Sequence, residues 1–413
     1  MLIFFISTKG LSQVTNNSSQ NTSFFLTPEF IIGKTLEANE GFPKTNLQKG
    51  IFLGFGKYNR TNDKEWAVRL NYPKTGVSLS IIDFGNTEKI GKAYTIMPFM
   101  EFELHKRWHF LMGVGGSYMD TQYNLETNPF NKAITTKLNM SIRAFMYYNM
   151  FKNSTMNWRF GFGLIHHSNG HSRLPNQGLN SLLLSISSTI DSKSSHTNFK
   201  EPLPKPKKVN THQTYFSTRF GFGQNVLSEI FNDKKPVYTV TFSAGKIVNK
   251  TFKFGGGFYY RFYKHYYDYI KNNEALVEEE FPIFKTNPFG YASNFGLFGS
   301  VEILMDHFGF EFELGLNIHK PFYQIDWKLN AGYSFRNVNN ELIVKLGELD
   351  WYYEIKRTIS SRIGLKYYFI TNEKTPKHNL YLAAHINANF GQADFTELSL
   401  GYVYRSKLKE RIK

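Results

Sequence analysis

Segments in which apolar residues alternate with polar residues or glycine recur along the whole chain and limit its fold. In residues 307–318 the even-numbered positions are all Phe, Leu or Ile, whereas the odd-numbered ones carry Gly, Glu, Asn and His. Residues 252–263 and 379–390 show a similar alternation. Successive side chains of a β-strand point to opposite faces, so a period of two indicates strands with one apolar face. The pattern predicts an all-β fold.

The composition narrows this fold to two classes. Aromatic residues make up 17% of the 413 residues, and no run approaches the roughly 18 apolar residues that a membrane helix needs. Alternating strands without such runs fit a transmembrane antiparallel β-barrel, in which lipid-facing and lumen-facing residues alternate. A soluble β-sandwich is the alternative, but its outer face needs water and rarely combines so many charges with so much Phe. We therefore predict a transmembrane barrel.

The lengths of the connections between strands give a topology. Sixteen segments have strand patterning, and we predict 12 to 16 strands, with sixteen as the best count. The third segment, 66–84, is long enough to be bent or broken at Pro73. Outer-membrane barrels have short periplasmic turns and longer outer loops. On this rule both termini are periplasmic, and the long extracellular loops include 35–49, 120–133, 265–291 and 319–358.

The chain divides into two halves. Residues 191–212 contain three prolines and several lysines, which predict an irregular, solvated linker. Strands of a first barrel half lie in 21–190 and a second set in 213–413, and the sequence leaves open whether they form one barrel or two. Residues 1–20 are interpreted as a signal-peptide remnant or a flexible N-terminus.

Charge and cysteine content exclude some classes of site. The net charge is +16, but the basic residues are scattered through turns and loops rather than arranged in a stripe, which argues against nucleic acid. A phosphorylated lipid is an anionic partner that suits such a surface. Cysteine is absent, and His166 and His167 point to opposite faces of one strand. We expect neither a metal site nor a cofactor.

A polar pair lies on a face where a barrel strand should be apolar. In the strand predicted over 155–168, His166 and Ser168 share the face of Leu164. Polar groups on a lipid-facing surface are costly unless they have partners or a function. A serine becomes a nucleophile when a histidine takes its proton. Asn180, on the next strand, has the parity of lipid-facing leucines and completes a set of nucleophile, base and third polar residue.

These residues lie in a stretch, 164–180, that resembles the active-site motif of the outer-membrane lipid A deacylases of the PagL type. In that motif His-x-Ser-Asn is followed by Pro-Asn-x-Gly and then an acidic residue. The matching positions here are His166, Ser168, Asn169, Pro175, Asn176 and Gly178. Tyr72-Pro73, Gly76-Val77 and Asn128-Pro129 also resemble long relatives known as acyloxyacyl hydrolases. The resemblance covers about residues 20–190, and the second half has no counterpart in the short family members.

The resemblance implies an outer-membrane β-barrel that removes an ester-linked acyl chain from lipid A, with lipopolysaccharide as its partner. It implies Ser168 as the nucleophile and His166 as the general base. Asn176 and the backbone near Gly170 would stabilise the oxyanion, and Asn169 would orient the loop. The acidic third member of the motif falls at Asn180, which can fix the imidazole tautomer but stabilises an imidazolium less.

Two non-catalytic functions remain as alternatives. The chain could be an outer-membrane channel or uptake barrel that retains the motif, or a soluble binding protein built on a sandwich. Charged residues on the predicted lumenal face could line a pore or fill the barrel with a polar network, and the second arrangement is the one we expect; they include Arg261, Glu311, Glu313 and His385.

Overall fold

The chain folds into two closed antiparallel β-barrels of eight strands each. The structure, a computed structural model, describes residues 24–152, 156–191, 209–330, 332–336, 338–345 and 350–410. The all-β barrel prediction is confirmed, and the choice that the sequence left open is resolved in favour of two barrels. In the described residues, no helix is long and apolar enough to cross a membrane.

The first barrel uses its strands in sequential order, and pairing of the first strand with the eighth closes it. A short helix lies between the second and third strands. The elements are β1 (Phe24–Thr35), β2 (Gln48–Lys57), α1 (Glu65–Arg69), β3 (Lys74–Asp83), β4 (Lys92–His105), β5 (Trp108–Met119), β6 (Leu138–Lys152), β7 (Met156–Ser168) and β8 (Leu179–Asp191).

The second barrel follows after residues that lie outside the described part of the chain. Its strands are β9 (Thr211–Asn225), β10 (Lys235–Val248), β11 (Phe252–Tyr263), β12 (Ser293–Met305), β13 (Phe308–His319), β16 (Ile359–Tyr368), β17 (His378–Asn389) and β18 (Gln392–Arg405). The connection between β13 and β16 contains a separate hairpin of β14 (Tyr333–Arg336) and β15 (Leu342–Lys345). The short β19 (Lys409–Glu410) pairs with β9, and pairing of β9 with β10 and β18 closes the barrel.

Helices lie in the long connections of the second barrel. They are α2 (Lys264–Lys271), α3 (Ala275–Glu280), α4 (Pro288–Tyr291), α5 (Tyr323–Leu329) and α6 (Asp350–Thr358), with 3-10 turns at Pro282–Thr286 and Asn372–Lys374. Helix α2 contributes to an aromatic cluster in which the rings of Tyr266 and Phe322 stack at 4.2 Å. Phe395 of β18 joins the same cluster, which therefore packs against the barrel.

The third predicted strand is wrong in its first part. Residues 66–69 belong to α1, and the strand begins only at Lys74. Asn71 and Tyr72 have positive φ angles of 59° and 55°, a backbone conformation that interrupts a strand. The apolar residues of α1 are buried, and the helix contacts β12 of the second barrel. Their burial against protein produces an apolar pattern like that of a lipid-facing strand.

The predicted division of the chain at a linker stays a prediction. Strand β8 ends at Asp191 and β9 begins at Thr211. Residues 192–208 and the predicted signal-peptide remnant, 1–20, lie outside the described residues, so both assignments stay predictions. The orientation of the termini relative to the membrane also stays a prediction.

The exterior of each barrel is apolar and the interior is charged. Phe162, Leu164 and Leu182 point outward and are 45 to 53% exposed. Inside the first barrel, Arg143 bonds to Glu29 at 2.7 Å. Residues in the transmembrane strands thus have the inside-out distribution of a membrane barrel, because lipid rather than water covers the exterior.

The interior of the second barrel is filled by a network of opposite charges. Arg219 lies 3.1 Å from Glu311 and 3.3 Å from Glu313, and His385 contacts Glu311 at 3.1 Å. Arg261 is also buried, with its guanidinium over the ring of Tyr259. The expected polar network is therefore present, and Glu311 and Glu313 each have cationic partners that offset the cost of their burial.

The two barrels lie side by side and contact each other at both ends. We call the end with the β2–β3, β4–β5 and β12–β13 connections the turn end, and the opposite end, with connections 120–137 and 169–178, the loop end. At the turn end Lys64 forms an ion pair with Asp306, and Arg69 donates to the carbonyl of Val209 at 2.7 Å. The connection that carries α1 therefore ties the first barrel to the second.

The Glu29–Arg143 pair gives a prediction about stability. Arg143→Ala leaves a buried carboxylate without its cation, which should lower the free energy of unfolding by about 3–5 kcal/mol. The matched control is Lys89→Ala, because Lys89 pairs with Glu88 at a site where the Glu88 side chain is 82% exposed. An exposed pair contributes about 0–1 kcal/mol. Urea unfolding in detergent measures both, and equal small losses would contradict the structural role of the pair.

The contact between the barrels at the turn end gives a prediction about pH. Burial acts to raise the pKa of Asp306, but hydrogen bonds from Lys64 and Thr371 outweigh it and hold the pKa below its usual value. The stabilisation is complete above the unfolded pKa of about 4 and disappears as pH falls through the lower folded value. Asp306→Asn should therefore lower Tm at pH 7, and the difference should shrink near pH 2. A difference that grows on acidification would contradict this assignment.

Candidate active site on the exterior wall

His166 and Asn180 are partners on neighbouring strands of the first barrel. They are opposite each other in the β7–β8 ladder, and His166 Nδ1 lies 2.8 Å from Asn180 Oδ1. An amide oxygen only accepts hydrogen bonds, so Nδ1 donates and Nε2 keeps its lone pair. The structure therefore places the third polar residue where sequence parity predicted, and leaves the distal ring nitrogen as a base.

The pair faces outward, toward the region that lipid occupies around a barrel. Asn180 is exposed, as are Leu164 and Leu182, which form the next outward-facing pair along the same two strands. Ser168 is two residues beyond His166 on the same strand, where Cα atoms are roughly 7 Å apart. The outward position of His166 and Asn180 follows from this pairing, and the outward direction of Ser168 stays a prediction.

Ser168 ends β7 and is largely covered, with 6% of its surface exposed. Within the described part of the chain, no hydrogen bond joins its hydroxyl to His166. Catalytic hydrogen bonds often tighten only when substrate is bound, so a long separation does not exclude the pair. The structure brings His166 and Asn180 together and leaves Ser168 next to them without a direct bond.

The connection that follows Ser168 is folded by two asparagines. Asn169 donates its backbone N–H to Asn176 Oδ1 at 3.1 Å. Its own side chain accepts from the backbone N–H of Ser172 at 3.1 Å and donates to the carbonyl of Arg173 at 2.8 Å. Because the oxygen of Asn176 is used by the loop, its Nδ2 group is the part available to donate to a developing oxyanion.

Two glycines suit the backbone of this loop, and one of them, Gly178, packs against the histidine. Gly170 and Gly178 have φ angles of +63° and +75°, which favour glycine over residues with a Cβ. A Cβ on Gly178 would also lie 2.6 Å from Cε1 of His166, too close for the ring to keep its place. A glycine at position 178 therefore allows the loop to pack closely against the imidazole.

A second His/Ser pair lies on the other side of the same wall. His167 points into the lumen, where its Nδ1 lies 2.7 Å from Ser141 Oγ and 3.2 Å from Ser117 Oγ. His167 and Ser141 are fully buried, so a lipid in the membrane has no access to them. Sequence reasoning did not identify this pair, although the lumenal parity of His167 was evident. It provides a natural control for the exterior pair.

A shallow apolar cavity of about 420 Å³ opens on the exterior next to the His166–Asn180 pair. Gly163 and Ala144 supply small residues at its floor, and the larger apolar side chains around it include Phe162, Leu164, Met146, Leu182 and Leu184. Since Leu164 and Leu182 border both the cavity and the polar pair, the cavity leads directly away from the histidine.

Comparisons with known proteins match each barrel to a family model. Residues 49–189 match the family described as lipid A 3-O-deacylase (PagL). Residues 211–336 match the family described as the C-terminal domain of acyloxyacyl hydrolase. A comparison with curated protein sequences found no match.

Solved structures of outer-membrane barrels are similar at low identity. The outer membrane enzyme PagL is 14% identical over 40% of this chain and 98% of its own, with a TM-score of 0.26. An outer membrane channel from Pseudomonas putida F1 is 8% identical over 96% of this chain and 100% of its own, with a TM-score of 0.19. OccAB4 from Acinetobacter baumannii is 9% identical over 95% of this chain and 100% of its own, with a TM-score of 0.20.

The two family matches follow the order of the two barrels and together span most of the chain. They agree with the apolar exteriors and charged interiors of the two barrels. The protein is located in the outer membrane. The residues at 166–180 that carry the deacylase motif lie inside the first match. Residues 49–189 therefore belong to the lipid A 3-O-deacylase (PagL) family, and residues 211–336 to the family of acyloxyacyl hydrolase C-terminal domains.

Proposed function

We propose that the protein is an outer-membrane esterase that hydrolyses an ester-linked acyl chain of lipid A or a related lipid at the exterior rim of the first barrel. The observation that carries the proposal is the hydrogen bond between His166 and Asn180 on the lipid-facing wall, next to Ser168. A soluble or lumenal substrate would have little use for a base that points toward acyl chains.

Ser168 acts as the nucleophile and His166 as the general base. Ser168 Oγ attacks the ester carbonyl while His166 Nε2 takes the hydroxyl proton, and the same proton then goes to the alkoxide that leaves. A water molecule, deprotonated by His166, next attacks the acyl-serine ester; the bond from the acyl carbon to Ser168 Oγ breaks, His166 returns the proton to Oγ, and the fatty acid is released. The Nδ2 group of Asn176 and a backbone N–H near Gly170 stabilise the negative oxygen of both tetrahedral intermediates.

Asn180 fixes the tautomer of His166 but supplies no charge. Its oxygen, 2.8 Å from Nδ1, keeps the proton on that nitrogen in the resting enzyme. An imidazolium formed during the reaction gains less from this neutral partner than from a carboxylate. The base of this enzyme is therefore correctly oriented, but its protonated form is only weakly stabilised.

The surroundings of the site suit an anionic lipid. Lys34 is exposed on β1, where it pairs in register with Leu182, and Lys137 and Arg173 are exposed in connections at the same end. Cations near a membrane surface attract lipid phosphates. The neighbouring apolar cavity would hold part of the acyl chain. The channel alternative gains no support, because paired charges fill the interior of the second barrel.

The nucleophile is tested by Ser168→Ala. We expect the variant to lose hydrolysis of purified lipid A by about 10⁴-fold or more, because no other group forms the acyl intermediate. The matched control is Ser141→Ala, which removes the same atom from the lumenal His/Ser pair and should retain activity. Mass spectrometry of lipid A after incubation measures both. Equal acylation with wild type, Ser168→Ala and no enzyme would remove the esterase proposal.

The third polar residue is tested by Asn180→Asp. The new carboxylate keeps the side-chain length and adds a charge beside the imidazolium, so kcat should rise at least about tenfold. Asn180→Leu, which removes the oxygen that holds His166, should lower kcat instead. The initial rate of fatty-acid release at saturating lipid measures both. An unchanged rate in both variants would show that Asn180 plays no part in orienting the base.

A further inference from the structure

We propose that the second barrel positions the loop of the candidate active site, and that Asn232 is the main positioning residue. This inference rests on the proposed function of the first barrel, but it concerns residues outside the deacylase-family match. Residues 170–174 separate the proposed nucleophile from Asn176, and three of them are held by the second barrel.

Asn232 holds the backbone of Leu174 with two hydrogen bonds. Leu174 donates its N–H to Asn232 Oδ1 at 3.0 Å, and Asn232 Nδ2 donates to the Leu174 carbonyl at 2.7 Å. Asn232 lies in the connection between β9 and β10, so one side chain of the second barrel satisfies both polar groups of a loop residue. This paired arrangement fixes orientation as well as position, because both bonds must align together.

Two further contacts hold the part of the loop nearest Ser168. The carbonyl of Gly170 accepts from Thr396 Oγ1 at 3.4 Å, and Thr396 is on the exterior of β18. The 170–171 peptide is trans, so its N–H points away from Thr396. The contact therefore turns this N–H away from the second barrel, as an oxyanion donor on the first barrel requires.

His171 adds a side-chain contact. Burial lowers the pKa of His171, so its ring is neutral near pH 7, and the ring forms a hydrogen bond with the backbone of Val226. Val226 directly follows β9, and Asn232 and Thr396 are in or beside strands that pair with β9. The three contacts therefore come from one continuous part of the second barrel, which acts as a rigid support.

The support has a catalytic consequence because the middle of the loop is bonded to the first barrel at few points. Gly170 has a positive φ, and among the hydrogen bonds of the described residues Ser172 and Arg173 are tied to the first barrel through Asn169. The first barrel itself holds Asn176, which accepts from the N–H of Asn169. Without the second barrel, it is the backbone N–H groups of residues 170–174 that would sample many positions relative to Ser168. Misplacement of donors by about 1 Å can cost 10²-fold in rate. The second barrel thus orders a loop that the first barrel alone would hold less firmly.

The chain offers a matched control for Asn232. Asn379 makes the same pair of bonds with a backbone residue, accepting from Ile370 N at 3.0 Å and donating to Ile370 O at 2.7 Å. This clamp lies within the second barrel, at the turn end. Asn379→Ala therefore removes an equivalent pair of hydrogen bonds from the same barrel without changing the loop of the candidate site.

The kinetic test uses the full-length protein in detergent with purified lipid A. Asn232→Ala should lower kcat at least about tenfold with KM nearly unchanged, because donors to the transition state are displaced while the lipid-binding wall is intact. Asn379→Ala should keep both constants. Thr396→Val should lower kcat and Thr396→Ser should restore it. Wild-type kinetics for Asn232→Ala would overturn the inference, while loss of activity only in Ser168→Ala would leave the proposed function standing.

A second readout does not depend on activity. Trypsin cleaves after exposed Arg173, and in the wild type the next N–H, that of Leu174, is held by Asn232. Limited proteolysis should cut the Arg173–Leu174 bond at least about tenfold faster in Asn232→Ala than in wild type or Asn379→Ala, because local opening controls cleavage. Equal cleavage rates in the three proteins would overturn the inference even if the wild type has no deacylase activity.

Discussion

The alternation of side chains across a β-strand is the constraint on which the rest of this structure depends. It sends His167 into the lumen and His166 to the exterior, although the two are neighbours in sequence. The same rule places Asn180 beside His166 and exposes Leu164 next to both. On the proposed function, the site on the outer wall needs no cavity in the interior, because its substrate would come from the surrounding lipid.

The interior can then serve stability alone. Buried pairs such as Glu29–Arg143 and Arg219–Glu311 fill the two lumens with groups that offset one another's charge. Rigid walls of this kind hold the strands that carry the site, but they cannot order a connection beyond the strand ends. In this chain the second barrel contacts the loop between β7 and β8 through Asn232 and Thr396. It therefore supports residues that lie beyond the strands of the first barrel.

Local periodicity predicted the barrel class and the pairing of His166 with Asn180 on the exterior, because both depend on strand register alone. It failed at α1, whose buried apolar residues imitate a strand. It also gave no sign of the Asn232–Leu174 clamp or of the Ser141–His167 pair, because these join residues 58 and 26 positions apart. Contacts between barrels depend on how two closed sheets pack, and strand periodicity carries no information about that packing.

On the proposed function, a serine on the exterior wall reacts with a molecule from the lipid phase. The direct measurement is labelling of the protein in bilayers with alkyl fluorophosphonates of short and long chain, followed by peptide mass spectrometry. We expect an adduct on Ser168 that forms faster with the long-chain fluorophosphonate and is absent in His166→Ala. An adduct on lumenal Ser141, or labelling of Ser168 that ignores both chain length and His166, would contradict it.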